Sequence, residues 1–293
     1  MPPENKSTQP GTMTTNSYGK SRVRLTKILR QGDNHNIKEL TVSIQLQGEF
    51  DRAFLSGDNS QIVATDSMKN TVYVLAARSE FDSIEAFARI LTDHFIQTYK
   101  HVSGVSVDIE EDLWQRVVLD GKAHPHAFLG AGGEKRWCQV KRDKNDLTVS
   151  SGIRDLRVVK TTASEFWGFI RDEYTTLPEV RDRIFGTAIA ATWVVDKADN
   201  DFNLCYQAIR SAVIEIFATH HSLSVQQTLY EAGQTALDRC AAVQSINLTM
   251  PNQHRIPFNL EPFKLENKNQ IFITTDEPYG LISATISRKT TSD

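Results

Sequence analysis

Val23 and Leu25, then Val42, Ile44 and Leu46, alternate with polar neighbours, and this period of two predicts two strands between Tyr18 and Gly48. Gly32-Asp33-Asn34 marks the turn between them. The period then changes. Across residues 82–100, Ile84, Phe87, Ile90, Leu91, Phe95 and Tyr99 fall on one face of a helix, with Asp82 in its acidic first turn. Val105, Val107 and Ile109 return to strand alternation, running on towards Trp114 and Val118, and Asp120-Gly121 turns the chain into a further strand around His126 to Val140.

After Asp143-Lys144-Asn145-Asp146 the same plan starts again. Val149 to Val159 and Ile184 to Val195 read as strands. Residues 202–219 read as a helix burying Leu204, Ile209, Val213, Ile216 and Phe217. A second helix over about 224–242 carries Leu229, Leu237 and Val243 on one side, and strands follow around 245–260 and 270–286. Strands, helices and strands, twice over, predict an α+β protein in which helices cover one face of antiparallel sheet. An open sheet edge in each half invites closure by other copies of the chain, so an oligomer is expected.

Composition changes this picture little. A net charge of −3, from 33 Lys and Arg against 36 Asp and Glu, gives no basic face for nucleic acid. The longest apolar runs are far shorter than the ~20 residues of a membrane-spanning helix. The first 17 residues are rich in Pro, Ser, Thr, Asn and Gln; they are expected to be disordered and do not resemble a secretory signal. Cys138, Cys205 and Cys240 are widely spaced, with no Cys-x-x-Cys pair, so neither a disulfide framework nor a zinc knuckle is expected, and a reducing cytoplasm fits. His124-Pro125-His126 and His220-His221 are candidate metal ligand pairs, but neither has a third ligand beside it in sequence, and both read as surface or core histidines.

Five stretches carry candidate chemistry: Tyr18-Gly19-Lys20; Val63-Ala64-Thr65-Asp66-Ser67; Phe166-Trp167-Gly168-Phe169 followed by Arg171-Asp172-Glu173-Tyr174-Thr175-Thr176-Leu177; Ser224-Val225-Gln226; and Pro251-Asn252-Gln253-His254. In this order and at these separations, from Tyr18 to about Arg288, the chain resembles the urate oxidase family. The resemblance implies the tunnelling fold (T-fold), with tandem domains over 18–143 and 144–290. It also implies a homotetramer closing a barrel, active sites between subunits, urate and dioxygen as reactants, and no metal or organic cofactor. One subunit would supply Lys20, Thr65 and Asp66, and its neighbour Phe166, Arg183, Val225, Gln226, Asn252 and His254.

Each position has a plainer reading on residue type alone. A lysine is ordinarily a solvated surface group. The resemblance instead makes Lys20 a catalytic base, whose pKa partial desolvation would lower. Thr65, which on its own reads as the cap of a short helix, becomes its relay partner beside free helix N–H groups suited to an anion. His254 completes the relay with an imidazole suited to moving protons near neutral pH. Arg183, otherwise a salt-bridge partner for Asp182 or Glu179, becomes with Gln226 a clamp on urate's carbonyl and N–H edge. Phe166, otherwise core, stacks on the purine. Val225 and Asp66 offer main-chain N–H groups, and Asn252 with Thr65 holds dioxygen or water above the ring. In a duplicated fold, Thr65-Asp66 and Val225-Gln226 are expected at equivalent helix starts.

The implied reaction converts urate, dioxygen and water to 5-hydroxyisourate and hydrogen peroxide. Two other readings are another T-fold purine or pterin enzyme, which the missing zinc-ligand spacing disfavours, and a non-catalytic purine-binding homologue. Thr291-Ser292-Asp293 is not the Ser-Lys-Leu peroxisomal signal, which leaves a cytoplasmic location as the expectation.

Overall fold

The computed structural model describes residues 11–195 and 201–289. Residues 11–17 form no helix or strand, although Asn16 Nδ2 donates to Asp51 Oδ1 at 2.6 Å; the rest of the segment expected to be disordered lies outside the described residues.

In chain order the elements are β1 (Tyr18–Gln31), β2 (Asn34–Gly48), α1 (Asp51–Ser56), α2 (Thr65–Arg78), α3 (Ile84–Thr98), β3 (Val102–Leu119) and β4 (Lys122–Asp143). The second half follows with β5 (Leu147–Lys160), β6 (Phe185–Val195), α4 (Phe202–Thr219), α5 (Val225–Arg239), β7 (Val243–Pro257) and β8 (Phe272–Ser287). The class is α+β. Gln31 pairs with Asn34 and Leu119 with Lys122, so both early hairpins close through two-residue turns. In the second, Asp120 and Gly121 both have positive φ (51° and 74°), the backbone that matches the twist of paired strands.

The eight strands form one antiparallel sheet in the order β1-β2-β3-β4-β5-β6-β7-β8. The inner edge that each half would expose on its own is closed by pairing β4 with β5, from Lys135–Arg154 to Arg142–Leu147. Among the described residues, β1 and β8 are the edges. The covered face carries Leu40, Val42, Ile44 and Leu46 of β2 and Val107 and Ile109 of β3, all fully buried. The opposite face carries Thr41, Ser43, Ser106 and Asp108, the polar alternates of the same strands.

Both halves dress the sheet alike. α2 lies on β1 and α3 on β3 and β4; α4 lies on β5 and α5 on β7 and β8. Lys27 of β1 donates to Ala76 O and Ser79 O at the end of α2, and Lys160 of β5 donates to His220 O at the end of α4. Each lysine thus satisfies carbonyls left open by a helix C-terminus. Ser83 and Ser224, both extended, cap α3 and α5 by accepting from Ala86 N and Gln227 N.

Three expectations need correction. Leu204 is exposed, because the buried face of α4 is set by Phe202, Cys205, Tyr206 and Ile209 instead. By element order, the start of α5 corresponds to the start of α3, so Val225-Gln226 is matched by Ile84-Glu85 and not by Thr65-Asp66. Third, Cys205 and Cys240 form a disulfide across 35 positions, with Cα atoms 5.8 Å apart. Wide spacing hid it: α4 and α5 pack side by side, which brings one cysteine of α4 to the end of α5. Cys138 stays free, and burial pushes its thiol well above the usual range. Among the described residues no helix is long and apolar enough to cross a membrane.

Protein denatured without reductant is therefore expected to expose one alkylatable thiol per chain, rising to three after reduction, as read by intact mass. Three thiols before reduction would remove the bridge.

Candidate active site

The first cluster is built on the start of β1. Gly19 is required there: a Cβ would stand 1.8 Å from the carbonyl oxygen of Ile44, so no side chain fits between β1 and β2. The Tyr18 hydroxyl accepts from Val63 N at 2.7 Å and lies 3.2 Å from Val63 O, fastening β1 to the chain just ahead of α2. Lys20, half-buried, is thereby held near the first turn of that helix. A bulge follows at once between Lys20 and Val23, where Arg22 has φ 58° and donates its N–H to Ser43 Oγ.

Ala64, not Thr65, is the capping residue of α2; it makes no side-chain cap, and the ladder starts with Met68 N to Ala64 O at 3.1 Å. Thr65 is the first helical residue. The helix runs on to Arg78 and is not short. The main-chain N–H groups of Thr65, Asp66 and Ser67 are left with no acceptor inside the helix. Lys69 holds the Asp66 carboxyl below the usual carboxylate range, with Asn70 and, more weakly, Lys20 adding to the effect. The carboxylate is turned to Lys69 and Asn70, so what Asp66 has to offer at this helix start is its main chain.

The second cluster gathers three stretches far apart in sequence. Phe166 and Val180 exchange backbone hydrogen bonds at 2.9 and 3.0 Å within the irregular segment 161–184. Arg183 N donates to Ser164 O at 2.8 Å, which sets its guanidinium 5.2 Å from the Phe166 ring. Ser164 bridges Ser222, two residues ahead of the cap of α5. Ser224 Oγ takes the Gln227 N–H and the ladder starts at Thr228 N, so Val225 and Gln226 keep theirs. Asn252 pairs with Thr187 of β6 and Gly280 of β8, and a register shift separates it from His254.

Arg183 has neither of the carboxylate partners expected from sequence. Asp182 accepts from Thr162 Oγ1, and Glu179 from Gly168 N. Its buried Nε has no partner among the described residues, and burial lowers its pKa. Lys20, Thr65, Gln226, Asn252 and His254 likewise make no side-chain hydrogen bond among the described residues. Glu165, which carried no role in the sequence reading, and His221, read there as a surface or core histidine, are bonded at 2.7 Å beside Phe166; His220 lies 3.2 Å from Thr228 Oγ1. Among the described residues no group of three or more His, Cys, Asp or Glu is arranged to hold a metal ion.

The two clusters stand on strands far apart in the order of the sheet. β1 and β6 are five strand steps apart in the sheet, roughly 24 Å at ~4.8 Å per step. Each nevertheless offers a helix start with free N–H groups, one beside a lysine and the other beside a guanidinium stacked on an aromatic ring. Fold and clusters together define an α+β protein suited to a flat, anionic heterocycle.

Comparison with known proteins sharpens this class. The uricase family model matches residues 16–141 and 149–283. The uricase of Arthrobacter globiformis is 39% identical over 274 residues, spanning 94% of this chain and 89% of that one; rabbit uricase (Oryctolagus cuniculus) is 39% identical over 282 residues, spanning 94% of each. The crystal structure of the Arthrobacter globiformis enzyme superposes with a TM-score of 0.90 at 38% identity, covering 97% of this chain and 98% of that one. The chain belongs to the uricase family.

Arg183→Ala is expected to weaken binding of an unreactive urate analogue roughly tenfold to a hundredfold, the worth of a charge-assisted hydrogen bond of about 1.5–3 kcal/mol. Asp182→Asn is expected to leave it unchanged, since Asp182 serves Thr162. Calorimetric titration of both variants decides: equal effects would mean that Arg183 works through Asp182.

Proposed function

We propose that the urate oxidation this chain performs takes place in a site completed by two subunits, with Lys20, Thr65 and Asp66 from one and Phe166, Arg183, Val225, Gln226, Asn252 and His254 from its neighbour. The observation that carries this reading is the set of polar side chains with no partner among the described residues, gathered in two clusters five strand steps apart in the sheet, each cluster lacking what the other holds. Open edges at β1 and β8 support closure of the sheet by further copies, as a homotetramer. The family assignment sets aside the pterin-pathway reading, and the presence of Lys20, Thr65 and His254 argues against a binding protein without chemistry.

In this proposal Phe166 fixes the plane of the ring, Arg183 and Gln226 grip one edge, and the main-chain N–H groups at the starts of α2 and α5 meet the anion from two sides. Lys20, through Thr65, removes a proton from bound urate and leaves an electron-rich dianion. The dianion passes two electrons to dioxygen held near Thr65 and Asn252; with two protons this becomes hydrogen peroxide. Water, activated through Thr65, Asn252 and His254, adds to the oxidised ring to give 5-hydroxyisourate. The protein supplies orientation and electrostatics, and the substrate supplies the electrons.

Residues 18–143 and 144–290 are taken as two tandem units. The family model's two matched blocks and the paired lysine and serine caps support the boundary between them. A cytoplasmic location belongs to the same proposal, and the Cys205–Cys240 bond counts against it, since structural disulfides are rare in reducing compartments.

Two experiments test the proposal. Lys20→Met and Arg183→Ala chains are refolded together and assayed at urate well below the KM of the Arg183→Ala protein, where each alone is nearly inactive; in a mixed two-fold pair one site collects both lesions and the other neither, so random reassortment returns about a quarter of full activity. Mixed oligomers that regain nothing would place each site within one chain. Separately, protein dialysed against a chelator is expected to keep consuming urate and oxygen with release of peroxide. Activity lost on chelation and restored by a single metal would sink the cofactor-free mechanism.

A further inference from the structure

The segment 161–184 joins β5 to β6 with no helix or strand of its own, yet it carries both Phe166 and Arg183. A stretch this long takes its shape from side-chain anchors, because no hydrogen-bond ladder defines it. Glu165, whose side chain is only 15% exposed, is one such anchor, and it reaches outside the segment. One carboxylate oxygen accepts from His221 Nε2 at 2.7 Å and the other from Trp167 Nε1 at 2.6 Å, with Arg181 Nη1 at 3.8 Å. Its backbone N–H donates to Ser222 O at 2.7 Å, and Ser222 N donates to Ala163 O at 2.9 Å. Arg181 in turn covers the Trp167 ring at 3.6 Å.

These contacts join two chain segments that each end at the candidate site. One leads from Glu165 directly into Phe166; the other leads from His221 through Ser222 and the Ser224 cap into Val225 and Gln226. We infer that Glu165, with His221, is a positioning residue: the pair sets the spacing between the aromatic and guanidinium wall and the helix start that faces the substrate edge. In this inference neither side chain belongs to the clamp itself; their bond acts through Phe166 and Arg183. His221 is 56% exposed, so the pair does little for the core, and its effect falls on the loop.

The inference rests on the substrate clamp proposed above, and the test separates the two. Glu165→Ala is expected to raise KM for urate, and the dissociation constant of an unreactive analogue, about tenfold with kcat changed less than threefold, because the clamp holds ground and transition states alike. Glu165→Gln keeps an acceptor for the indole and a polar partner for His221, and is expected to restore affinity to within about threefold of the parent. His221→Ala, a surface change that leaves the fold intact, is expected to raise KM about threefold with kcat and melting midpoint unchanged. Unchanged affinity in Glu165→Ala and His221→Ala, beside weakened binding in Arg183→Ala, overturns the role of Glu165 alone. Unchanged affinity in all three overturns the clamp as well. A Gln variant as poor as the Ala variant, or a fall in kcat at constant KM, also overturns the positioning role.

Discussion

Glu85 is fully shielded from solvent although it carries a carboxyl group. Burial pushes its pKa up, while Arg136 and Ser151 pull it back towards the charged form. Arg136 Nη2 and Ser151 Oγ both donate to it at 2.7 Å; Arg136 Nη1 reaches Asn203 at 2.6 Å, and its guanidinium lies over Tyr206. Tyr206 and Arg210 then share Glu134. The network takes Glu85 from α3, Arg136 and Glu134 from β4, Ser151 from β5, and Asn203, Tyr206 and Arg210 from α4. It therefore straddles the seam where the two halves join. A one-residue slip between β4 and β5 would turn Ser151 to the opposite face and displace α4 from Arg136. Leaving one member of such a buried pair unmatched costs about 3–5 kcal/mol. The network adds little net stability over an apolar seam, but it penalises every other register.

Fixing that seam has a consequence for function. With β4 bound to β5, the sheet is continuous and its free edges lie at the two extremes of the chain, β1 and β8. The lysine cluster sits at the first edge and the guanidinium cluster towards the second. The same pairing that unites the halves sets the lysine cluster and the guanidinium cluster on strands far apart in the sheet, which is why the proposed site draws on a second copy.

Local signals were readable from sequence, and distant ones were not. Helix α4 matches its predicted range to the residue, and both early turns fall at the expected Gly-Asp and Asp-Gly positions, because periodicity and turn chemistry act over a few neighbours. The short α1, which buries no residue, left no apolar period to detect. Pairing of β4 with β5, the Cys205–Cys240 bond and the partners of Glu165 each depend on elements meeting in space. The candidate site residues came from resemblance to a family. What singles out Arg183 physically is the lack of a carboxylate partner among the described residues, beside two available ones, and no spacing rule predicts a contact that is not made.

The repeated plan explains why the second half keeps an open helix start. Ser83 and Ser224 cap α3 and α5 alike, so Ile84-Glu85 and Val225-Gln226 occupy the same two positions of the first turn. Ile84 and Val225 are both buried. The next residue differs. Glu85 turns to Arg136 on β4, which has β5 beyond it and a seam to register. The counterpart of β4 in the second half is β8, and β8 has no strand beyond it among the described residues. Nothing there calls for a buried charge, and Gln226 stands exposed with no partner among the described residues. A neutral amide at that position offers a donor and an acceptor together without the desolvation cost of a carboxylate, and without its repulsion of an anion. The same fold position thus carries a structural acid where the sheet continues and an exposed neutral amide where it ends.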